Sequence, residues 1–144
     1  SSYRNWIFIR YAEILLNYAE AMNESAGPSV EVYNALDAVR QRSGITGLVQ
    51  DRADLTSSQA NMRNFIRKER TVELAFEEHR AWDLRRWNVA TEALSRDLYG
   101  VVVNSDGTIT RKVAQKRVFK NKMYLYPIPE AEEWVTGIQN NAGW

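Results

Sequence analysis

The chain has 144 residues, of which 44% are hydrophobic, 11% aromatic and 26% charged, a globular profile with enough apolar mass for a core in one domain. Nineteen Lys and Arg against 18 Asp and Glu leave a net charge of +1, which excludes whole-chain electrostatic steering towards nucleic acid or an anionic membrane. The absence of cysteine removes disulfides, thiol catalysis and cysteine-based zinc sites.

The opening SSYRNWIFIR has no basic start followed by a long apolar run, so it does not read as a signal peptide. No apolar stretch approaches the roughly 20 residues that span a bilayer. Without an initiator Met, residues 1–144 are expected to be a single domain and a piece of a longer protein. Over 8–22 the apolar residues Phe8, Tyr11, Leu15, Tyr18 and Met22 step by three and four, one stripe of an α-helix, with Ala12, Leu16 and Ala19 widening it. Gly27-Pro28 ends this helix, and Ser29 is a suitable N-cap for a second one. Val32, Ala35, Leu36 and Val39 line the inner face of the second helix, and Gly44 suits its stop. The short connection predicts an antiparallel helical hairpin of tetratricopeptide size.

Residues 45–55 read as a loop. Thr56 and Gln59 match a capping box. A long helix is predicted over 57–77, with Met62, Phe65, Ile66, Val72 and Phe76 as its stripe and Glu69 and Glu73 within it. A further helix is predicted over 81–96. Residues 98–104 and 108–113 then read as a β-hairpin around the turn Asn104-Ser105-Asp106-Gly107. Residues 123–128 form a short extended piece, 130–135 one helical turn, and GIQNNAGW a polar end. The fold class is therefore mainly α, helix pairs with a small β-hairpin near the C-terminus.

The densest chemistry lies in ERTVELAFEEHRAWDLRRW, residues 69–87. Glu69, Glu73 and Glu77 are spaced so that neighbours can approach, and paired carboxylates are what glycoside hydrolysis requires. Inward carboxylates on a long helix normally meet arginines instead, and Arg40, Arg42, Arg80, Arg85 and Arg86 are at hand. Structural pairing is the expected role, and no catalytic residue is assigned. His79 is the one histidine, so neither a zinc site nor a triad can be assembled around it, and a surface or capping place is expected. No metal site and no cofactor are expected. The basic run over 111–122 holds one aromatic, Phe119, and reads as a lysine-protected strand edge, not a nucleic-acid site. Gly100, Gly107 and Gly137 form no phosphate-cradling motif. Of the tryptophans, Trp82 and Trp87 are expected in the core. Trp6 is given no place, while Trp134 and Trp144 either lie exposed or pin the tail.

Five stretches in order resemble one family. RYAEILLNYAEAMNE and ALDAVRQRSGI resemble the helices that open the carboxy-terminal half of SusD/RagB-like proteins. ERTVELAFEEHRAWDLRRW is similar to that family's strongest signature, and YLYPIPEAE with QNNAGW to its closing segments, apart from Asn141 where proline is usual. The resemblance implies a carboxy-terminal portion of a nutrient-binding outer-membrane lipoprotein of Bacteroidota, exposed on the extracellular face. It implies non-catalytic capture of a glycan or other oligomeric nutrient for a SusC-like TonB-dependent transporter. The lipid anchor and much of the ligand surface are then expected in a missing amino-terminal half, and no ligand-binding residue is carried over. A chain lacking that half is expected to expose apolar surface and to self-associate or take a companion. The alternative is a tetratricopeptide-like helical module that binds a protein partner.

Overall fold

A computed structural model describes residues 7–144, so Trp6 lies outside the described residues. The fold is mainly helical with one two-stranded antiparallel hairpin near its end, as expected. The chain divides into two compact units, Ser1–Arg80 and Ala81–Trp144.

The first unit begins with α1 (Tyr11–Ala26) and α2 (Val30–Arg42), an antiparallel pair of tetratricopeptide type. Gly27 ends α1 at φ 84°, a left-handed conformation that glycine adopts without a Cβ penalty. Ser29 holds the N-cap position of α2, although its hydroxyl makes no capping bond. Gly44 closes α2 in a Schellman arrangement: its N–H donates to the Gln41 carbonyl at 2.9 Å and the Ile45 N–H to Arg40 at 3.1 Å.

The buried stripe of α1 is not the aromatic one. Ala12, Leu16, Ala19 and Asn23 are buried, whereas Tyr11 is 75% and Tyr18 45% exposed. α1 packs against both α2 and α4 (Gln59–Glu73), and alanines let backbones approach where tyrosines would hold them apart. Leu15 and Met22 border the core. Its centre is Leu16, Val32, Leu36, Val49, Met62 and Ile66, all fully buried. The stretch expected as loop holds a single 3₁₀ turn, Val49–Asp51, and the short α3, Ala53–Thr56. The buried Asp37 carboxylate accepts the Val49 N–H at 3.0 and 3.2 Å and ties that turn to α2.

α3 absorbs Thr56, so the expected Thr56/Gln59 box does not form. Ser58 caps α4 instead, accepting the Asn61 N–H at 3.3 Å. Gln59 reaches back to α1, donating to the Asn23 carbonyl at 2.6 Å, while the Asn23 amide donates to the Gln59 carbonyl at 3.2 Å. α4 stops at Glu73, not at 77. Its buried stripe is Met62, Ile66 and Arg70, and Leu74 closes it. Val72 and Phe76, expected inside, are exposed. Phe76 and Glu78 both sit at φ 64°, a left-handed conformation that ends the helix and is unfavourable for side chains of this size.

The second unit runs from α5 (His79–Arg86), whose first two residues belong to the first unit, through α6 (Ala90–Leu94) to β1 (Leu98–Val103) and β2 (Ile109–Gln115). A 3₁₀ turn, Asn121–Tyr124, and α7 (Glu130–Thr136) follow. The single helix expected over 81–96 is broken by a Schellman turn with Asn88 at φ 55°. There the Val89 N–H donates to Leu84 at 3.0 Å and the Asn88 N–H to Arg85 at 2.9 Å. The core is small: Leu84, Ala90 and Phe119 are buried, with Phe119 edge-on to Tyr124 at 5.1 Å. Trp82 is therefore not core but 60% exposed, and Trp87 is half-buried beneath the Arg86 guanidinium, 4.9 Å from its ring.

The tail is anchored by polar bonds. The Asn140 side chain brackets the Ile128 backbone at 2.9 and 3.2 Å. Asn141 donates to the Tyr126 carbonyl at 2.6 Å, a bond that proline could not make. Trp144 donates its indole N–H to the Lys122 and Leu125 carbonyls at 2.9 and 3.1 Å, so it pins the tail. Trp134 lies exposed on α7.

Glu78 makes no hydrogen bond or ion pair among the described residues, so its side chain offsets none of its backbone strain. The left-handed conformation costs about 1–2 kcal/mol, while glycine returns ~0.4–1 kcal/mol to the unfolded chain. Glu78→Gly should therefore stabilise the chain by about 0.5–1 kcal/mol, and an unchanged or lower urea midpoint would contradict this.

Candidate functional site

Arg10, the N-cap residue of α1, organises the charges of the first unit. Its Nε and one terminal nitrogen bind both oxygens of Glu77, at 2.8 and 2.7 Å. The other nitrogen donates to Glu73 Oε1 at 2.8 Å, and a fourth bond reaches the Glu73 carbonyl, also at 2.8 Å. Four of the five guanidinium donors are thus used, one of them on a carbonyl that the end of α4 leaves without a helical partner. Arg42 adds a second ion pair to Glu73 at 2.8 Å, and Arg40 pairs with Glu69 at 2.8 Å. The buried Arg70 bonds Asn17 at 2.6 Å and lies 3.9 Å from Glu20.

Arg40 and Arg42 pair as expected from sequence. Arg80 does not join them and bonds the Thr71 hydroxyl at 2.9 Å. Arg85 and Arg86 act in the second unit, Arg86 on Asp83 at 2.9 Å. Nothing local to residue 10 marks a contact 63–67 positions away, so Arg10 is not visible in the sequence pattern.

Glu77 is poorly suited to proton donation. The bond from Arg10 holds the Glu77 carboxyl below its usual range, assisted by the charges of Arg10 and His79. A general acid in glycoside hydrolysis needs the opposite shift. The bonds from Glu77 and then Glu73 push the Arg10 guanidinium above its ordinary value. His79 opens α5 with Nε2 3.7 Å from Glu13 Oε2, and lines an open cleft of about 580 Å³. The cleft is lined by Ile7, Phe8 and Phe76 besides Arg10, Glu77 and Glu78. No group of three or more metal-ligating side chains occurs among the described residues.

Binding chemistry of another kind gathers in the second unit. Trp82 and Tyr126, both exposed, lie 6.1 Å apart with planes inclined at 49°. Arg85 sits beside them, 5.9 Å from the Trp82 ring and 5.3 Å from those of Tyr126 and Phe119. Its guanidinium is held by bonds donated to the Ala81 and Met123 carbonyls at 3.2 and 3.4 Å. Aromatic faces beside a cation with fixed donors suit a ligand that has apolar faces and hydroxyls. The signal was present as a Trp and a Tyr, but their sequence separation of 44 hid the pairing.

The model of the SusD family matches residues 1–144. SusD-like protein P2 of Formosa agariphila is 31% identical over 130 residues, covering 89% of this chain and 23% of that protein. A solved SusD-like protein from Bacteroides fragilis superposes with a TM-score of 0.83 at 35% identity, covering 97% of this chain and 26% of that one. A solved SusD-like carbohydrate binding protein of the same organism gives 0.68 at 31% identity, covering 88% and 27%. The chain thus spans about a quarter of the length of the relatives it matches.

Arg10→Ala strips Glu77 of its partner and leaves Glu73 to Arg42. Stability should fall by roughly 1–3 kcal/mol in urea titration. Glu77 is depressed in the folded chain, so its contribution is full above the unfolded carboxylate range, near pH 4.3, and is lost as pH falls through the lower folded value. Arg10→Ala should therefore be least damaging in acid, and an equal loss at pH 3 and pH 7 would refute this role.

Proposed function

The chain belongs to the SusD family, and from that premise we propose that it is the carboxy-terminal part of a protein that holds a nutrient at the bacterial surface. The nutrient is a glycan or another oligomer, held without covalent chemistry and passed to a SusC-like TonB-dependent outer-membrane transporter. The match over residues 1–144 carries this reading. The likeness to a solved carbohydrate binding protein supports a sugar as the ligand class. No helix among the described residues is long and apolar enough to cross a membrane. The same reading places the protein on the outer face of the outer membrane through a lipid anchor in the amino-terminal part of the longer protein. That part also brings much of the ligand surface.

Within this chain, Trp82 and Tyr126 are the proposed stacking surface, with Arg85 donating to hydroxyls. A second reading, a helical module for a protein partner, is favoured by one observation. Tyr11, Ile14 and Tyr18 leave an exposed apolar strip along α1. The two readings are compatible if that strip faces the transporter or the remainder of the same polypeptide.

A glycan array on the full-length protein tests the first reading. Binding of at least one glycan class, weakened roughly two- to tenfold by Trp82→Ala at ~0.5–1.5 kcal/mol for a lost aromatic face, is the expected result. Failure to bind any glycan, with co-purification of a barrel transporter that Tyr11→Lys/Tyr18→Lys abolishes, would favour the second.

A further inference from the structure

Asp37, Ala38 and Gln41 follow Asn34 at helical spacing on α2, so the four share one side of that helix. Leu48 and Gln50 face them from the chain that follows, and the six residues line a pocket of about 220 Å³. It lies wholly within the first unit. The bonds that Asp37 accepts from the Val49 N–H fix this wall against α2. Ala38, with no side chain beyond Cβ, leaves the space between open.

The lining is unusual in its unused hydrogen-bonding capacity. Asp37 is only 8% exposed, and it has no ion pair among the described residues. Both of its oxygens share the one Val49 N–H, whereas a carboxylate offers about four acceptor positions. The side-chain amides of Asn34, Gln41 and Gln50 make no hydrogen bond among the described residues. Each can donate twice and accept as well. No Lys, Arg or His lines the pocket, so its chemistry does not suit an anion. One carboxylate among amides is also a poor donor set for a hard cation, which takes about six oxygens. The group that fits is neutral and carries several hydroxyls. Pockets for drug-sized ligands measure roughly 300–1,000 Å³, so this one has room for a single small unit.

We propose that this pocket holds one neutral sugar unit. Asp37 accepts from neighbouring hydroxyls, the amides of Asn34, Gln41 and Gln50 bond the others, and Leu48 meets the C–H face of the ring. The proposal rests on the reading that the longer protein holds a glycan, and it adds a contact in the first unit to the aromatic one in the second. Burial of this wall by another segment of the same polypeptide would desolvate four polar side chains against little apolar contact. The exposed apolar side chains that such packing covers, Tyr11, Ile14 and Tyr18 of α1, line no part of the pocket.

Saturation-transfer difference NMR on the full-length protein tests this, with free glucose, galactose, mannose, xylose and fucose as separate probes. At least one sugar should bind. Gln41→Ala, on the exposed rim, should raise its dissociation constant about threefold or more without moving the urea midpoint. Asp37→Asn should weaken it likewise, while keeping an oxygen for the Val49 N–H. Sugar binding that neither variant weakens overturns the pocket and leaves the glycan reading standing. Silence with every sugar, while a glycan array on the same protein finds a ligand, has the same meaning, and a pocket plugged by the amino-terminal part would give that result. Silence in both assays overturns the pocket and the glycan reading together.

Discussion

The first unit depends on the Arg10 guanidinium. A planar fork that binds one carboxylate bidentately, a second carboxylate and a backbone carbonyl fixes angles as well as distances. It holds the turn at residues 74–78, in which Phe76 and Glu78 take a left-handed conformation that both resist. It also holds the Glu77 carboxyl below its usual range. Net stabilisation by such partly exposed pairs is modest, because desolvation offsets attraction, so its main contribution is to specify one arrangement.

The second unit uses a different economy. Its core is three buried side chains with a few neighbours, too little to hold 64 residues by apolar burial alone. Side-chain to backbone bonds from Asn140, Asn141 and Trp144 take up the difference by fixing an irregular segment that no helix or sheet would order. The exposed Trp82 and Tyr126 faces sit on this framework. A ring whose backbone is already tied loses little freedom on meeting a ligand, which is the condition for a small contact to contribute affinity.

Local chemistry was legible in the sequence, and long-range choice was not. Gly27, Gly44 and the Asn104–Gly107 turn were read correctly because a left-handed residue or a tight turn is decided within a few positions. Asn88 carries the same signal, masked by an apparently helical run. The α1 stripe was misread because Tyr11, Leu15 and Tyr18 repeat with the same period as Ala12, Leu16 and Ala19. Only the nearness of α2 and α4 selects the small residues. Trp82 was placed inside by its size, yet Leu84 occupies that place. Of the candidate sites, the pairing of Glu69 and Glu73 with Arg40 and Arg42 was legible, while Arg10 and the Trp82–Tyr126 pair join positions too distant for any spacing rule.

The clasp between Asn23 and Gln59, set against the Arg10 fork, has a consequence for how such a sequence can vary. α1 and α4 run antiparallel and are tied at both extremities, by reciprocal amides at one and by the guanidinium at the other. Their lengths, 16 and 15 residues, are therefore matched like the rails of a ladder with a rung at each end. Inserting one residue into either helix shifts its far end by about 1.5 Å and turns it by roughly 100°, so one rung would be lost unless the other helix changed too. Side chains in the middle are free to drift, whereas the count of residues between the rungs is not.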